Sequence, residues 1–291
     1  MTRRVRATVA ALALAPALSG APLPLRAQLA TPALPRADFF LDGTARQGSV
    51  LIGRAPSGAV SVSLDGIAVP TTPEGFFIVG FDRDHDADAN FVARLADGRV
   101  VQRLIAVAPA QWRIEHVNAP PRGGAANNAD FAARRGVELA RINAARSVDH
   151  VSNGWRQAFR WPVAGRQSGW FGAQRVYQGQ PGSYHSGADI AAPTGTVFTA
   201  PADGVVTLAA REPFTLEGHL LIIDHGMGLN SAFLHASELL VREGDVVKQG
   251  QPIGKVGATG RASGPHLHWG MKWRSARIDP AALAGGLPPK R

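Results

Sequence analysis

The sequence predicts a mainly β protein in which two β domains are joined by a short helical linker. Three observations support this fold class. A chain of 291 residues is long enough for about two domains. Its 33 glycines and 21 prolines favour turn-rich β structure over long helices. Short apolar runs separated by turn signals fill most of the chain, whereas one central stretch is rich in good helix formers.

Residues 1–27 have the features of a secretory signal peptide. Three arginines within the first six residues form a basic start, and residues 9–18 are an apolar stretch too short to span a bilayer. Small residues near position 20 and at Ala27 offer cleavage sites. We therefore expect a periplasmic or secreted protein without stable membrane insertion after cleavage. An uncleaved membrane anchor is the alternative.

Cysteine usage and charge restrict the class of protein further. The chain has no cysteine, which excludes disulfides and a lipid-modified N-terminal cysteine. Its formal charge of +9 includes four arginines within residues 1–27, so the mature chain would carry +5. This modest basicity suits a polyanionic envelope surface. No helix-turn-helix, zinc-finger or RNA-binding pattern is found, so we expect no nucleic-acid partner.

Residues 38–118 are predicted to form an accessory β-sandwich of immunoglobulin-like type. Asp65-Gly66 and Asp97-Gly98 are hairpin turn signals. We expect this domain to position, target or regulate the rest of the chain, with an envelope protein as a candidate partner. The predicted strands are the apolar runs Ser49–Gly53, Val60–Leu64, Gly75–Gly80 and Phe91–Leu95.

Four alternating aspartates, Asp82, Asp84, Asp86 and Asp88, raise the question of a calcium site. A calcium-binding EF-hand loop requires glycine at its sixth position and glutamate at its twelfth. Neither register of this stretch supplies them. A solvated acidic loop between strands is therefore the preferred interpretation.

Residues 119–150 are predicted to be a linker that contains a helix. A segment rich in proline, glycine and asparagine comes first, and Asn128 is a candidate N-cap. The predicted helix runs from Asp130 to about Arg146. It would join the two domains or pack across the second one.

Residues 151–291 are predicted to be a second β domain that carries a metal site. His185 and Asp189 are four residues apart, whereas His266 and His268 are two apart. Residues i and i+2 of a strand leave the same face, so both imidazoles of the last pair point into one space. His235 ends another predicted strand. The predicted strands are 205–209, 219–224, 230–235, 246–247 and 252–256.

These five side chains suit zinc chemistry, because imidazole and carboxylate are good zinc ligands. A catalytic zinc keeps three protein ligands and leaves one position open. Five candidates therefore exceed the need of the metal by two, and the remaining pair can carry out proton transfer and charge stabilisation.

The pattern His185-x-x-x-Asp189, His235 and His266-x-His268 resembles the signature of the lysostaphin-type, or LytM-like, zinc metallopeptidases. The resemblance covers residues 159–283 and includes flanking stretches. Two departures are Phe233, where tyrosine is common, and Gly270, where an acidic residue is common. The matching flanks are 187–193, 200–206, 250–254 and 257–260 with Arg261.

The resemblance implies an endopeptidase that cuts the peptide stems of bacterial peptidoglycan, with a duplicated hybrid motif β fold around a groove. It implies that His185, Asp189 and His268 hold the zinc. It also implies that His235 and His266 are the catalytic pair, although which one is the base is left open. A cut at bonds that contain D-Ala is favoured.

Two other classes of function remain as alternatives. The chain could be a catalytically silent relative that binds and activates another cell-wall hydrolase, but such members usually lack zinc ligands. Residues 244–251 also resemble the turn of a biotinyl or lipoyl domain, with Lys272 as a faint counterpart of the modified lysine. That interpretation leaves the histidines unexplained.

Overall fold

The computed structural model describes residues 36–120 and 129–290, so the predicted signal peptide and the candidate N-cap Asn128 lie outside the described residues. The chain is mainly β, which confirms the predicted fold class. The two α-helices of the described part are α1, Ala129–Ser147, and α2, Pro280–Ala284. Within these ranges, no helix is both long and apolar enough to cross a bilayer.

Strands β1 to β7 form a small sandwich of two antiparallel sheets. One sheet has the order β1-β2-β5 and the other β4-β3-β6-β7, an arrangement found in immunoglobulin-like sandwiches. Phe39, Phe77 and Phe91 pack against one another between the sheets. The strands up to residue 117 are β1 (Phe40–Asp42), β2 (Val50–Arg54), β3 (Ala59–Leu64), β4 (Ile67–Val69), β5 (Phe76–Gly80), β6 (Asp88–Leu95), β7 (Val100–Ala106) and β8 (Ile114–Val117).

The predicted hairpin turns have the expected backbone. Asp65 and Gly66 both have positive φ, 49° and 81°, as a two-residue turn between β3 and β4 requires. Gly98 has a φ of 87° between β6 and β7. These turns fix the register of both hairpins, because a short loop determines which residues pair across it.

A large antiparallel sheet organises the rest of the chain. Its strand order is β18-β14-β15-β16-β20-β12-β9, and β21 pairs with β20 as an eighth strand. The strands after residue 150 are β9 (Arg166–Gly169), β10 (Gln174–Tyr177), β11 (Gln180–Pro181), β12 (Gly187–Ala191), β13 (Val197–Thr199), β14 (Gly204–Ala209), β15 (His219–Asp224), β16 (Leu229–Ala236), β17 (Glu238–Leu239), β18 (Val246–Val247), β19 (Pro252–Lys255), β20 (His266–Trp273) and β21 (Ala276–Ile278).

The two faces of this sheet have different partners. Leu267 and Trp269 point into the main core with Phe233, as the sequence predicts for alternate residues of β20. Helix α1 covers part of the opposite face, where Ile142 and Ala145 join a second apolar cluster with Ile222 and Ala232. The predicted helix therefore packs across the second β region.

Helix α1 and the metal candidates share one face of the sheet. Leu234 pairs with His268, and Ala232 pairs with Gly270. Directly paired residues of antiparallel strands project to the same side. The helix that packs on Ala232 therefore stands beside His268 and forms a wall of the region that contains the metal candidates.

The N-terminal sandwich and the large sheet are in direct contact. A side chain at Gly80 of β5 would lie 2.7 Å from Ile278 Cδ1 and 2.8 Å from Trp273 Cβ. The backbone N–H of Asp279 donates to the carbonyl of Gly48 at 2.7 Å. Strand β8 lies within the range predicted for the accessory domain, yet it pairs in parallel with β10. The domain boundaries at 38–118, 119–150 and 151–291 stay a prediction.

The close approach at Gly80 gives a first test of this contact. We expect Gly80→Ala to lower the free energy of unfolding by about 1–3 kcal/mol, because the added methyl group overlaps Ile278 and Trp273. Gly136→Ala is the matched control: Gly136 lies in helix α1 with open space around it, so alanine should stabilise by about 0.5–1 kcal/mol. Urea denaturation measures both. Equal effects of the two substitutions would show that the contact is looser than described.

Candidate metal centre

The pairing of β12 with β20 brings the first ligand candidates together. Asp189 lies directly opposite His268 in this antiparallel pair. Directly paired side chains are about 5 Å apart at Cβ, so residues 79 positions apart in the sequence converge on one point. His185 precedes β12 in the chain, and its imidazole turns back toward the carboxylate of Asp189.

Three ligand atoms meet at this point. His185 Nε2 lies 3.1 Å from Asp189 Oδ1 and 3.1 Å from His268 Nδ1, and that Nδ1 lies 2.9 Å from the same carboxylate oxygen. Two ligands of one tetrahedral zinc ion stand about 3.4 Å apart. The observed separations are close to this value, and the donor set of two imidazoles and a carboxylate fits zinc.

Neighbouring groups determine which atoms face the metal. His185 Nδ1 lies 3.1 Å from the carbonyl oxygen of Trp170, so this nitrogen carries the hydrogen and Nε2 keeps its lone pair. Burial alone would raise the pKa of Asp189, but the adjacent imidazoles of His185 and His268 outweigh it and hold that pKa well below its usual value. Asp189 is therefore an anionic ligand at neutral pH.

The other two predicted residues stand beside the three ligand candidates. The rings of His235 and His266 have centroids 4.9 Å apart, and His266 Nε2 lies 3.8 Å from Asp189 Oδ1. His235 Nδ1 donates to the carbonyl of Thr259 at 2.8 Å, and His266 Nδ1 donates to that of Gly264 at 2.7 Å. Each ring therefore presents an unprotonated Nε2, which can accept a proton.

The backbone at His235 is unusual. Simple alternation along β16 would send His235 to the core face, because its neighbour Leu234 pairs with His268 on the face with the metal candidates. His235 instead has a φ of 66°, and the register between β15 and β16 shifts here. Left-handed backbone in a non-glycine residue costs free energy and is concentrated at functional sites. This local distortion turns the imidazole toward His266.

Burial affects the protonation of His235. Desolvation lowers the pKa of His235 to about 4, and the neighbouring His266 and His268 act in the same direction. The ring is therefore neutral at pH 7. A neutral ring fits a group that receives a proton during a reaction and does not hold one beforehand.

His225 supports the site from the core side. Its Nδ1 donates to the carbonyl of Asp203 at 2.8 Å, and its Nε2 accepts from Ser231 Oγ at 2.8 Å. Ser231 Oγ in turn accepts from the indole nitrogen of Trp269, the residue after His268, at 3.2 Å. Complete burial lowers the pKa of His225 to about 4, so this chain of hydrogen bonds contains a neutral ring.

Three adjoining cavities form a groove over the site. The central one, of about 570 Å³, contains all five candidate residues and is bounded by the loops at Leu216–Glu217 and Arg261–Ser263. A cavity of about 1060 Å³ continues past His185 to β8 and β10. Another, of about 280 Å³, continues past His268 beneath helix α1.

Sequence reasoning missed the residues contributed by these outer walls. Strand β8 lines the largest cavity through Ile114 and Glu115, and helix α1 lines the smallest one through Arg135 and Arg146. One signal was available: the alternation that places His266 and His268 on one face of β20 continues to Gly270 and Lys272. The other wall residues come from distant segments with no motif.

A segment within the C-terminal half of the chain matches a known family. Residues 183–280 match the model of "Peptidase family M23". This range includes all five predicted site residues. A 104-residue stretch is 38% identical to the peptidoglycan DD-endopeptidase ShyB of Vibrio cholerae, and covers 36% of this chain and 24% of that protein. The family resemblance stated from the motifs is thereby confirmed.

Two further comparisons extend this result. A 104-residue stretch is 39% identical to the DD-carboxypeptidase/endopeptidase Mpg of Neisseria meningitidis, and covers 36% of this chain and 24% of that protein. The chain thus spans about a quarter of the length of these relatives. A Pseudomonas aeruginosa crystal structure described as a peptidase M23 superposes with a TM-score of 0.65 and 28% identity, over 84% of this chain and 96% of that one.

The tight packing of β12 on β20 predicts how metal affinity can be weakened without removing a ligand. A methyl group at Gly187 would lie 2.7 Å from His268 Nε2 and 2.5 Å from the Trp269 carbonyl. We expect Gly187→Ala to weaken zinc binding about 10- to 100-fold, because it displaces a ligand ring. Competition with a chromophoric chelator measures the affinity.

Gly264→Ala is the control for this experiment, because Gly264 also lies next to the site but has open space around its α-carbon. It should bind zinc with unchanged affinity. Equal zinc affinity of the Gly187→Ala variant and the unsubstituted protein would contradict the described position of the His268 ring.

Proposed function

Because residues 183–280 form a domain of peptidase family M23, we propose that the protein is a zinc-dependent endopeptidase that hydrolyses peptide cross-links of bacterial peptidoglycan. The single observation that carries this proposal is the convergence of His185, Asp189 and His268 in an open groove, with His235 and His266 beside them. The names of the relatives, peptidoglycan DD-endopeptidases among them, favour bonds that contain D-Ala.

In this proposal His185, Asp189 and His268 hold the metal. A zinc ion held by these residues would supply Lewis acidity, which would lower the pKa of a water to about 7 and polarise the carbonyl of the peptide bond. The carbonyl of Trp170 keeps His185 in the tautomer that offers Nε2. The chain itself thus orients the donor nitrogen of His185 before the metal arrives.

His235 and His266 supply the proton chemistry of the reaction. Both rings donate through Nδ1 to backbone carbonyls, which fixes their orientation and leaves Nε2 toward the groove. One Nε2 accepts the proton of the attacking water. The ring that becomes protonated then donates to the oxyanion or to the departing amine, since proton acceptance and donation use the same atom.

The walls of the groove suit an extended peptide. The loop at Arg261–Ser263 and the segment Leu216–Glu217 line the cavity that contains the metal candidates. The two segments support each other, because the N–H of Arg261 donates to the carbonyl of Leu216 at 2.9 Å. An open groove of this kind accommodates an extended stem peptide of small residues without deep side-chain pockets.

We assign the N-terminal region a positioning role within this proposal, through strand β8, which follows the sandwich. Strand β8 forms part of the wall of the largest cavity, and Arg113 stacks on Trp170 with its guanidinium 3.6 Å from the ring centroid. The Trp170 carbonyl in turn orients His185. The proposed location is outside the cytoplasm, where peptidoglycan lies. Whether an envelope protein binds to the sandwich stays a prediction.

The other function classes are less well supported. A silent activator of another hydrolase would need no intact ligand set, yet all five side chains converge here. A carrier domain would present its lysine at an exposed hairpin, whereas Lys272 lies within β20 and pairs with Asn230 and Arg277.

Digestion of purified, cross-linked peptidoglycan tests the proposal directly. We expect cross-linked dimers to become monomers, with the cleaved bond identified by mass spectrometry. Chelation should abolish the activity and added zinc should restore it, since the metal is the Lewis acid. Intact peptidoglycan in the presence of stoichiometric zinc would contradict the proposed substrate. Intact peptidoglycan with no zinc uptake would favour the activator.

Two substitutions separate metal binding from proton transfer. His185→Ala should lose both zinc and activity, because it removes a ligand. His266→Ala should keep zinc but lower kcat at least 100-fold, which is the range for loss of a general acid or base. His116→Ala, at an exposed position of β8, is the control and should leave both unchanged. Loss of zinc from the His266→Ala variant would reverse the proposed assignment of roles.

A further inference from the structure

The cavity beneath helix α1 is strongly basic. Its volume is about 280 Å³, and four cationic side chains line it with a single carboxylate, that of Glu217. Arg135 already holds Glu217 through two hydrogen bonds of 2.6 and 2.7 Å. The other three cations, Arg146, Lys272 and Arg277, have no carboxylate within 4.0 Å in residues 36–120 and 129–290. Asp82, outside the lining of the cavity, accepts from the backbone N–H of Arg277 at 2.7 Å and offsets only part of this charge. The cavity therefore keeps a net positive charge.

One of these cations has a buried donor without a partner. Arg146 Nε is inaccessible to solvent and makes no hydrogen bond to any described residue. An unpaired buried donor costs about 1–3 kcal/mol, so its presence in a folded protein calls for an explanation such as a ligand. Arg146 lies in the last turn of α1 and faces the cavity.

The cations also destabilise one another. Burial and the nearby Arg277 lower the pKa of Arg146 to about 10. Burial lowers the pKa of Lys272, and both Arg146 and Arg277 act in the same direction. An anion in the cavity would relieve this repulsion, since a charge of opposite sign favours the protonated form of each group.

The cavity is continuous with the metal centre. Ser186, Glu217, Leu234 and His268 line both this cavity and the central one. Gly270 lies between His268 and Lys272 on the same face of β20, and its missing side chain leaves the passage open. The family resemblance predicts an acidic residue at this position. On the face of β20 that carries the metal candidates, His268 is therefore followed by the uncharged Gly270 and then by Lys272.

We propose that this basic cavity, formed by Arg146, Lys272 and Arg277, binds a free carboxylate of the substrate's stem peptide. The proposal rests on the proposed function and specifies the substrate: a cross-linked peptide whose carboxylates are free and not amidated. Guanidinium and ammonium groups together are well suited to carboxylate recognition.

Distance along β20 limits which carboxylate can reach the cavity. His268 and Lys272 are four strand residues apart, which is about 13 Å between α-carbons. An extended peptide advances about 3.4 Å per residue, and the lysine side chain shortens the gap. The bound carboxylate therefore lies about two to four residues from the scissile bond. A terminal carboxylate or that of a dicarboxylic diamino acid in the stem fulfils this condition.

A double comparison of enzyme and substrate tests the proposal. Two synthetic cross-linked dimers are needed: one with free carboxylates and the same one with those groups converted to amides. We expect amidation to lower kcat/KM about tenfold or more, since a charge-assisted hydrogen bond contributes about 1.5–3 kcal/mol. Lys272→Met should lower kcat/KM by a similar factor on the dimer with free carboxylates. It should change kcat/KM on the amidated dimer little. Arg242→Gln, an exposed position outside the groove, is the matched control and should keep the preference of the unsubstituted protein for the dimer with free carboxylates.

Several outcomes would overturn the proposal. Equal kcat/KM of the unsubstituted protein on both dimers would do so. An equal loss of kcat/KM on both dimers in the Lys272→Met variant would also do so. Arg146→Met provides a second variant if the first fails to fold, and it should show the same selectivity. Inorganic phosphate provides a further test: inhibition that is identical for both dimers and requires Lys272 would indicate a general anion site that does not bind the substrate.

Binding measurements distinguish the proposed carboxylate site from the proposed endopeptidase function. Calorimetry with the His266→Ala variant, which should not cut the dimers, compares their dissociation constants directly. Tighter binding of the dimer with free carboxylates supports the carboxylate site if the additional Lys272→Met substitution removes the difference. This holds even if the unsubstituted protein cleaves neither dimer. Equal binding of both dimers contradicts the carboxylate site even if both are cleaved.

Discussion

The antiparallel pairing of β12 with β20 is the constraint on which the site depends. It places Asp189 opposite His268 and brings His185 into range, so that three ligand atoms meet within 3.1 Å of one another. The pairing tolerates no side chain at Gly187, where a methyl group would press on the His268 ring. A one-residue slip of this register would turn Asp189 to the other face and abolish the site.

Beside the ligand candidates, a local distortion of the backbone positions one of the two residues proposed for proton transfer, His235. The ligand candidates Asp189 and His268 come from the regular pairing of β12 with β20, whereas His235 enters through a left-handed backbone and a register shift at the end of β16. Regular pairing holds metal ligands rigidly, and the distorted residue has its ring tied to the Thr259 carbonyl. The cost of the distorted backbone is offset by this hydrogen bond and by packing in the surrounding sheet.

The groove is assembled from parts that are remote in the sequence. The large sheet forms its floor, strand β8 of the N-terminal region forms part of one end, and helix α1 closes the other. The proposed basic cavity exists because α1 packs on the site face of the sheet, where Arg146 comes to lie near Lys272 and Arg277. The parts outside residues 183–280 thus give the common zinc site its specific surroundings.

The sequence alone determined the fold class and helix α1 to within a residue at each end, and it predicted the five site residues, because each rests on a local signal: strand alternation, helix propensity, turn glycines and histidine spacing. Only the tertiary structure decided that β8 pairs with β10, that His235 turns away from its regular strand face, and that Arg146 meets Lys272. These features depend on contacts between segments far apart in the chain, and no local pattern encodes such a contact.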